Sequence, residues 1–478
     1  MTTDDQSNII RASTSSYAMG SDDAELEANW RLICAARNDG DDNNENDGGI
    51  SSNSEIIWRE WFFSKMEKIV DMNSTTATTA TTTTDSTNNN NLTAAAAANN
   101  NNNNPTLKNV TVVFGQAGSG KTFLMQLLCS SARFEDRILL PFFCKAAAAA
   151  AAGTPTDFLG DLEAAIGATF PALRQQIASS ANASAKVANF NVHFREHTLR
   201  LLAAMGREEP AHQFTTSRRY LLLIDSIDLR PDICELISSN LHAFPPWLHV
   251  VITARQKRYR GITKMFSGAR KIVLDDTKKG NVYGDLMGYL VANKDRMVGD
   301  KAAEKAEDQS APTSISNAVF SKMIAKSNGA VLYLRLLRDG LQRGVLSLSQ
   351  LDFIGGTLNG LYLALFTALF NGGGGEGSSA EREADYKTVL SLLDRGNAFQ
   401  VTVDEVRRKL GLGEETEGGD DAYLAELLDQ LLLHGLVVFT SSSEQAAATA
   451  IRLVHGSLFE RREALLGEVR LPRPGPAG

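Results

Sequence analysis

Apolar residues cluster along this chain in short uninterrupted runs. Val110–Phe114, "RILLPFFC" at 137–144, the apolar part of "RRYLLLIDSID" at 218–228 and "WLHVVITAR" at 247–255 are each of strand length. Runs of this kind, with no polar face, predict strands covered on both sides, as in a parallel sheet flanked by helices. The segment "KTFLMQLLCSSARF" at 121–134 reads as an amphipathic helix, so the pattern predicts an α/β fold. A denser stretch, "LNGLYLALFTALF" at 358–370, is too short to span a bilayer and predicts a buried helix.

Polar, low-complexity stretches divide this pattern. Residues 1–54, with "NDGDDNNENDGG" at 38–49, carry too little apolar surface to offset the entropy of ordering, and a disordered tail is expected. Within it, 22–37 places Leu26, Trp30 and Ile33 on one side of a short helix to which no function is assigned. The Trp-bearing segment "IIWREWFFSKMEKIV" at 56–70 predicts a lead-in helix over 55–72. It is separated from the first strand by a Thr/Ala/Asn block, 73–106, which reads as an insertion within a domain. The rest divides into an α/β core at 107–275, a helical domain at 276–370, a Gly/Ser linker at 371–381, a C-terminal unit at 382–470 and a Pro-rich tail at 471–478.

Composition narrows the function classes. A formal charge of −8 gives no general attraction to nucleic acid or anionic membrane. The four cysteines, Cys34, Cys129, Cys144 and Cys234, lack CxxC spacing and fit neither a disulfide framework nor a zinc cluster, which points to a reducing, cytoplasmic setting. The N-terminus has no basic region followed by an apolar one, so no secretory signal is expected.

The chemistry begins after the first strand. Gly115, Gln116, Ala117, Gly118, Ser119, Gly120, Lys121 and Thr122 fit G-x-x-x-x-G-K-[ST], with Phe123 next on the helix. Glycines let consecutive N–H groups turn around a phosphate at a helix N-terminus; Lys121 adds a fixed charge and Thr122 a hydroxyl for Mg²⁺. A metal-bound triphosphate also needs a carboxylate at a neighbouring strand end, and Asp225 is the candidate. Asp228 is read either as a group that polarises water or as a helix N-cap or solvated loop acid. Arg255 either reaches a γ-phosphate or is a surface arginine after a strand.

These motifs resemble the NACHT class of STAND P-loop NTPases, most closely the NACHT region of scaffold proteins with ankyrin and tetratricopeptide repeats. "GQAGSGKT", "LLLIDSID" and "FPPWLHVVITAR" are similar to that class's Walker A, Walker B and sensor strands. "WREWFF" at 58–63, "IAKSNGAVLYLRLL" at 324–337, "GTLNGLYLALFTALF" at 356–370 and "LVHGSLFE" at 453–460 are similar to flanking motifs in the same order. The resemblance implies a P-loop NTPase parallel sheet followed by a helical domain and a winged-helix domain. It implies bound ATP or ADP with Mg²⁺, a sensor role for Arg255, and contact between His455 and the ADP β-phosphate; on residue type alone His455 reads as a core histidine. Two positions depart from the class. Leu229 stands where many members have glutamate, which implies slow hydrolysis, and Val331 replaces a proline kept by some members.

The expected function is a nucleotide-controlled switch whose winged-helix lid opens on ATP exchange, with protein partners and self-oligomerisation. Its alternatives are a static scaffold holding nucleotide structurally, or a working P-loop ATPase or kinase. A DNA-binding winged helix is disfavoured because the candidate third helix, "DDAYLAELLDQLLLHG" at 420–435, carries acids and no Lys or Arg.

Overall fold

The computed structural model describes residues 59–71, 109–144, 154–177, 190–205, 219–255, 261–298, 315–371, 382, 384–389, 392, 400–412, 419–433, 436–441 and 449–453. The readings of the tail at 1–54, the helix at 22–37, the insertion at 73–106 and the linker beyond Asn371 lie outside the described residues. The chain forms two compact units. The described residues of Arg59–Gly115 and Leu124–Val273 make the first, and those of Gln116–Phe123 and Leu274 onward make the second.

In the first unit, helix α1 (Glu60–Asp71) precedes strand β1 (Val110–Phe114), followed by helix α2 (Lys121–Ser130), which belongs to this unit from Leu124 on. There follow β2 (Ile138–Phe143), α3 (Pro155–Thr169), α4 (Phe190–His193), a π-helical turn (Phe194–Thr198) and α5 (Leu199–Met205). The unit continues with β3 (Tyr220–Asp225), α6 (Pro231–Asn240), β4 (Leu248–Ala254), α7 (Ile262–Met265) and β5 (Arg270–Val273). The strands pair in parallel in the order β2-β3-β4-β1-β5.

The uninterrupted apolar runs have the burial that their pattern predicts: every residue of β1, β3 and β4 is buried. Alternate residues serve opposite faces. Val112, Leu222, Ile224, Val250 and Ile252 join one core with Phe158 and Leu162 of α3 and with Ile233 and Ile237 of α6. Pro141 is compatible with β2 because β2 is an edge strand, where a missing N–H breaks no ladder. Helix α1 buries Phe62, Phe63, Met66, Ile69 and Val70, so the lead-in segment is integral to the unit. Cys129, Cys144 and Cys234 are buried free thiols.

One buried polar pair in this sheet sets an acid limit on stability. His249 is fully buried in β4, with Nε2 2.9 Å from Thr111 Oγ1. Burial, helped by the charges of Arg219 and Arg270, pushes its pKa down to about 3. The folded imidazole therefore stays neutral where the unfolded one takes a proton. Stability is full above pH 6.5 and is lost as pH falls from there toward the folded value. About 2 kcal/mol is expected to go between pH 8 and pH 5. Denaturant melts of the wild type and His249→Gln across that range check this: the substituted protein should show a flatter acid limb.

The second unit continues from Leu274 with helices α8 (Gly280–Ala292), α9 (Lys294–Val298), α10 (Asn317–Ser327), α11 (Val331–Gln342) and α12 (Leu358–Asn371). Tyr333, Leu334 and Leu337 of α11 and Leu361, Tyr362 and Phe366 of α12 are buried, so the dense apolar stretch is a core helix. Among the described residues no helix is long and apolar enough to cross a membrane. The C-terminal part has β6 (Gln400–Thr402), α13 (Val403–Leu410), α14 (Gly419–Leu433), β7 (Val437–Ser441) and β8 (Thr449–Leu453). Its strands form an antiparallel β6-β8-β7 sheet. Within this unit Arg343, just past α11, donates to the Leu432 carbonyl of α14 at 2.6 Å.

Candidate phosphate-binding loop and acidic strand ends

The loop after β1 is built by its glycines. Gly118 and Gly120 have φ of +74° and +84°, a region that L side chains rarely adopt, at the entry to α2. Ser119 N–H closes the turn onto the Gln116 carbonyl at 3.2 Å. Lys121, 7% exposed, donates from Nζ to that same carbonyl at 2.9 Å. Successive residues in such a conformation form an anion-binding concavity at a helix N-terminus, and the glycine positions fit a polyphosphate. Thr122 and Phe123 follow half-buried in the first turn of α2.

The loop is also bonded to the helical domain, within the second unit. Gln116 N–H donates to Asp275 Oδ2 at 2.8 Å, and its side-chain amide donates to the Asn328 carbonyl at 2.6 Å. The Gly118 carbonyl accepts from Leu332 N–H at 3.0 Å. That donor lies in the first turn of α11, where no intrahelical acceptor exists and the N-cap Ala330 supplies none, so the loop itself caps the helix. The chain reaches this contact through Asn328 and Gly329, at φ of 48° and 84°. A side chain at Gly329 would sit 2.5 Å from the Asp275 carbonyl oxygen. Val331 occupies the first position of α11, the helical position that proline tolerates best.

The acidic residues belong to the first unit. Asp225 ends β3, buried, and Thr253 Oγ1 of β4 donates to its Oδ1 at 2.5 Å. Ser226 is held at φ 54° by two bonds: its N–H donates to Thr253 Oγ1 at 2.8 Å and its Oγ to Asp225 Oδ2 at 3.0 Å. Asp228 sits in a 3-10 turn, Ile227–Leu229. Its side chain is 1% exposed, so it is not a solvated loop acid. Its Oδ1 accepts from the Arg255 N–H at 3.2 Å, and its Oδ2 lies 3.7 Å from Arg255 Nε. Arg255 is correspondingly part-buried rather than a free surface arginine. Burial, with the Asp225 charge adding, pushes the Cys129 thiol up to about 12, which excludes a thiolate nucleophile here.

Sequence reasoning placed Asp225 on a strand neighbouring β1, and that is corrected. Strand β4 lies between β1 and β3, so the Asp225 strand is two interstrand steps from β1, about 10 Å across the sheet. Thr253, the penultimate residue of the intervening strand, orients Asp225. Sequence reasoning also missed Asp275, Asn328 and Leu332 as partners of the loop; the "SNGAVLYL" motif marked two of them, but nothing local tied it to Gln116 or Gly118. His455 lies outside the described residues.

Residues 90–255 match the family described as Nephrocystin 3, N-terminal, a stretch that runs from ahead of β1 through Arg255. Against curated proteins the chain shows no match. Solved structures similar to it include the Aeropyrum pernix ORC1 protein in complex with DNA, at 15% identity over 75% of this chain and 86% of that one, with a TM-score of 0.27. Drosophila ORC bound to DNA is similar at 14% identity over 75% of this chain and 90% of that one, also with a TM-score of 0.27. The parallel five-stranded sheet, with its glycine loop after β1 and its acidic β3 end, is a P-loop NTPase-like α/β fold followed by helices and a three-stranded antiparallel sheet.

Proposed function

We propose that this chain is a nucleotide-controlled switch of the NACHT/STAND kind, holding ATP or ADP with Mg²⁺ and turning it over slowly. The observation that carries the reading is the bonding of the glycine loop to the helical domain. Gly118 caps α11 and Gln116 bonds Asp275 and Asn328, so the residues that would cradle phosphates share their backbone conformation with the helices that follow. A change in what the loop holds is thereby linked to the helical domain, provided affinity differs between two arrangements. Gly115 to Phe123 would wrap the phosphates, with Lys121 their fixed cation. Thr122 and Asp225 would ligate Mg²⁺, which neutralises polyphosphate charge when bound.

Arg255 is the proposed γ-phosphate sensor, and its pairing with buried Asp228 supports a relay in which Asp228 orients either the arginine or a water. Leu229 packs against the core beside Asp228, with no carboxylate at that position. Turnover on the order of one per minute or less is therefore expected, as for P-loop switches without an external activator. The cytoplasm is the proposed setting, and opening of the winged-helix part, with His455 as a proposed latch, would present a surface for protein partners or a second copy. The acidic α14 supports a protein-facing rather than a DNA-facing role.

Measuring co-purified nucleotide, its exchange against labelled ATP, and steady-state phosphate release decides between readings. Exchangeable nucleotide with slow release is the expected result. Nucleotide that never exchanges makes the chain a static scaffold, and turnover of many per second makes it a working ATPase.

A further inference from the structure

A cluster in the first unit, outside the glycine loop and the acidic strand ends, has the donor set of a metal site. Glu163 projects from the middle of α3, with its side chain 9% exposed. His193 closes α4 and His197 lies in the π-helical turn that follows. His193 Nε2 is 2.8 Å and His197 Nδ1 is 3.2 Å from Glu163 Oε1, and the three ligand atoms all lie within 4.8 Å of one another. Two imidazoles four residues apart on one helical face, with a carboxylate facing both, form a recurrent three-donor arrangement.

The local fold accounts for the convergence. The π-turn's hydrogen bonds span one more residue than an α-helix's, and the two rings across it stack with centroids 5.1 Å apart and an 18° interplanar angle. The turn is pinned on its flanks. Arg195 Nε donates to Asn240 Oδ1 at 3.4 Å, Asn240 Nδ2 donates to Asn191 Oδ1 at 3.3 Å, and Phe194 packs edge-on against Phe244 at 6.0 Å. The carboxylate is oriented from outside the trio by Thr198, whose Oγ1 donates to Glu163 Oε1 at 2.8 Å. An outer hydrogen bond of this kind is how ligating carboxylates are held in metal centres.

We propose that Glu163, His193 and His197 bind one divalent transition-metal ion of the zinc type, cross-linking α3 to the α4 and π-turn segment. Two nitrogen donors and one oxygen favour zinc and its first-row neighbours over Mg²⁺ or Ca²⁺, which take oxygen. Metal–ligand bonds of about 2.0–2.2 Å in tetrahedral geometry set ligand atoms about 3.4 Å apart. The carboxylate contacts at 2.8 and 3.2 Å are within about 0.6 Å of that spacing, a displacement that side-chain torsions absorb. His197, with 24% of its side chain exposed, leaves solvent access for a water as the fourth ligand. In sequence the trace is the "HFREH" spacing at 193–197; the carboxylate comes from thirty residues earlier, on α3.

The test uses the full chain stripped by a chelator, without nucleotide or Mg²⁺, titrated with Zn²⁺ by calorimetry and with Co²⁺ by visible absorption. One ion per chain is expected. His197→Gln and Glu163→Gln should each weaken binding by at least 100-fold, and Thr198→Val by about 10-fold through the outer hydrogen bond. Should Glu163→Gln fail to fold, His197→Gln carries the test, because its ring is part-exposed. Lys121→Ala should bind the ion like wild type, which separates this site from the glycine loop. Absence of stoichiometric binding by the wild type, or wild-type binding by His197→Gln, overturns the proposal.

Discussion

Lys121→Ala is expected to weaken retention of ATP or ADP by about 100-fold or more. Lys121 is 7% exposed, and its ammonium already sits on the loop, 2.9 Å from the Gln116 carbonyl. A charge-assisted hydrogen bond of this kind contributes up to about 3 kcal/mol, and removing it leaves a polyphosphate facing backbone donors alone. Equilibrium titration with a fluorescent ATP analogue reads the change. Circular dichroism and a thermal melt establish that the variant is folded, because the substitution also strips the Gln116 carbonyl of one donor. Affinity like wild type in a folded Lys121→Ala protein would remove the glycine loop from the proposed function.

The second large effect is on the fold of the loop. Gly118 and Gly120 both have positive φ, so alanine at either is strained by about 1–2 kcal/mol. Their surroundings differ. A Cβ at Gly120 meets nothing within 4 Å, whereas at Gly118 it comes 2.8 Å from Leu332 Cβ and 3.0 Å from Leu358 Cδ1. Leu332 cannot retreat without breaking the bond between its N–H and the Gly118 carbonyl, which caps α11. Gly118→Ala should therefore cost about 3–4 kcal/mol against about 1 for Gly120→Ala. It should also lower protection of the α11 amides in hydrogen exchange. Equal costs at the two positions would mean that the loop is not packed on α11, and the proposed coupling of phosphate binding to the helical domain would fall with it.

The paired residues also show how differently two kinds of information enter this protein. Asp228 and Arg255 were both named from their neighbours in sequence, each with a solvent-facing alternative. Their mutual contact, across 27 residues, excludes solvated Asp228 because the carboxylate is buried against a guanidinium and a backbone N–H. Thr253 lies within the "WLHVVITAR" run with nothing in the sequence to single it out, yet its hydroxyl both receives Ser226 N–H and donates to Asp225. A threonine at a strand end has no local signature for such a role, since the hydroxyl acts on a strand it meets only through sheet pairing.

What the chain determined by itself was local. Uninterrupted apolar runs specified β1 to β4 because strands buried on both faces need no polar side, and the G-x-x-x-x-G-K-T spacing specified a turn that only glycine at Gly118 and Gly120 adopts without strain. The extent of α12 and the acidic character of α14 were equally readable, being properties of contiguous residues. Tertiary structure alone decided that β4 enters between β1 and β3, because four similar apolar runs carry no label for their partners and the pairing energy is non-local. It alone bonded the glycine loop to Asp275, Asn328 and Leu332, through backbone groups that every residue possesses and no sequence pattern marks. And it alone brought Glu163 to His193 and His197, because the carboxylate stands thirty residues before the first histidine and meets both rings only where α3 packs on the π-turn.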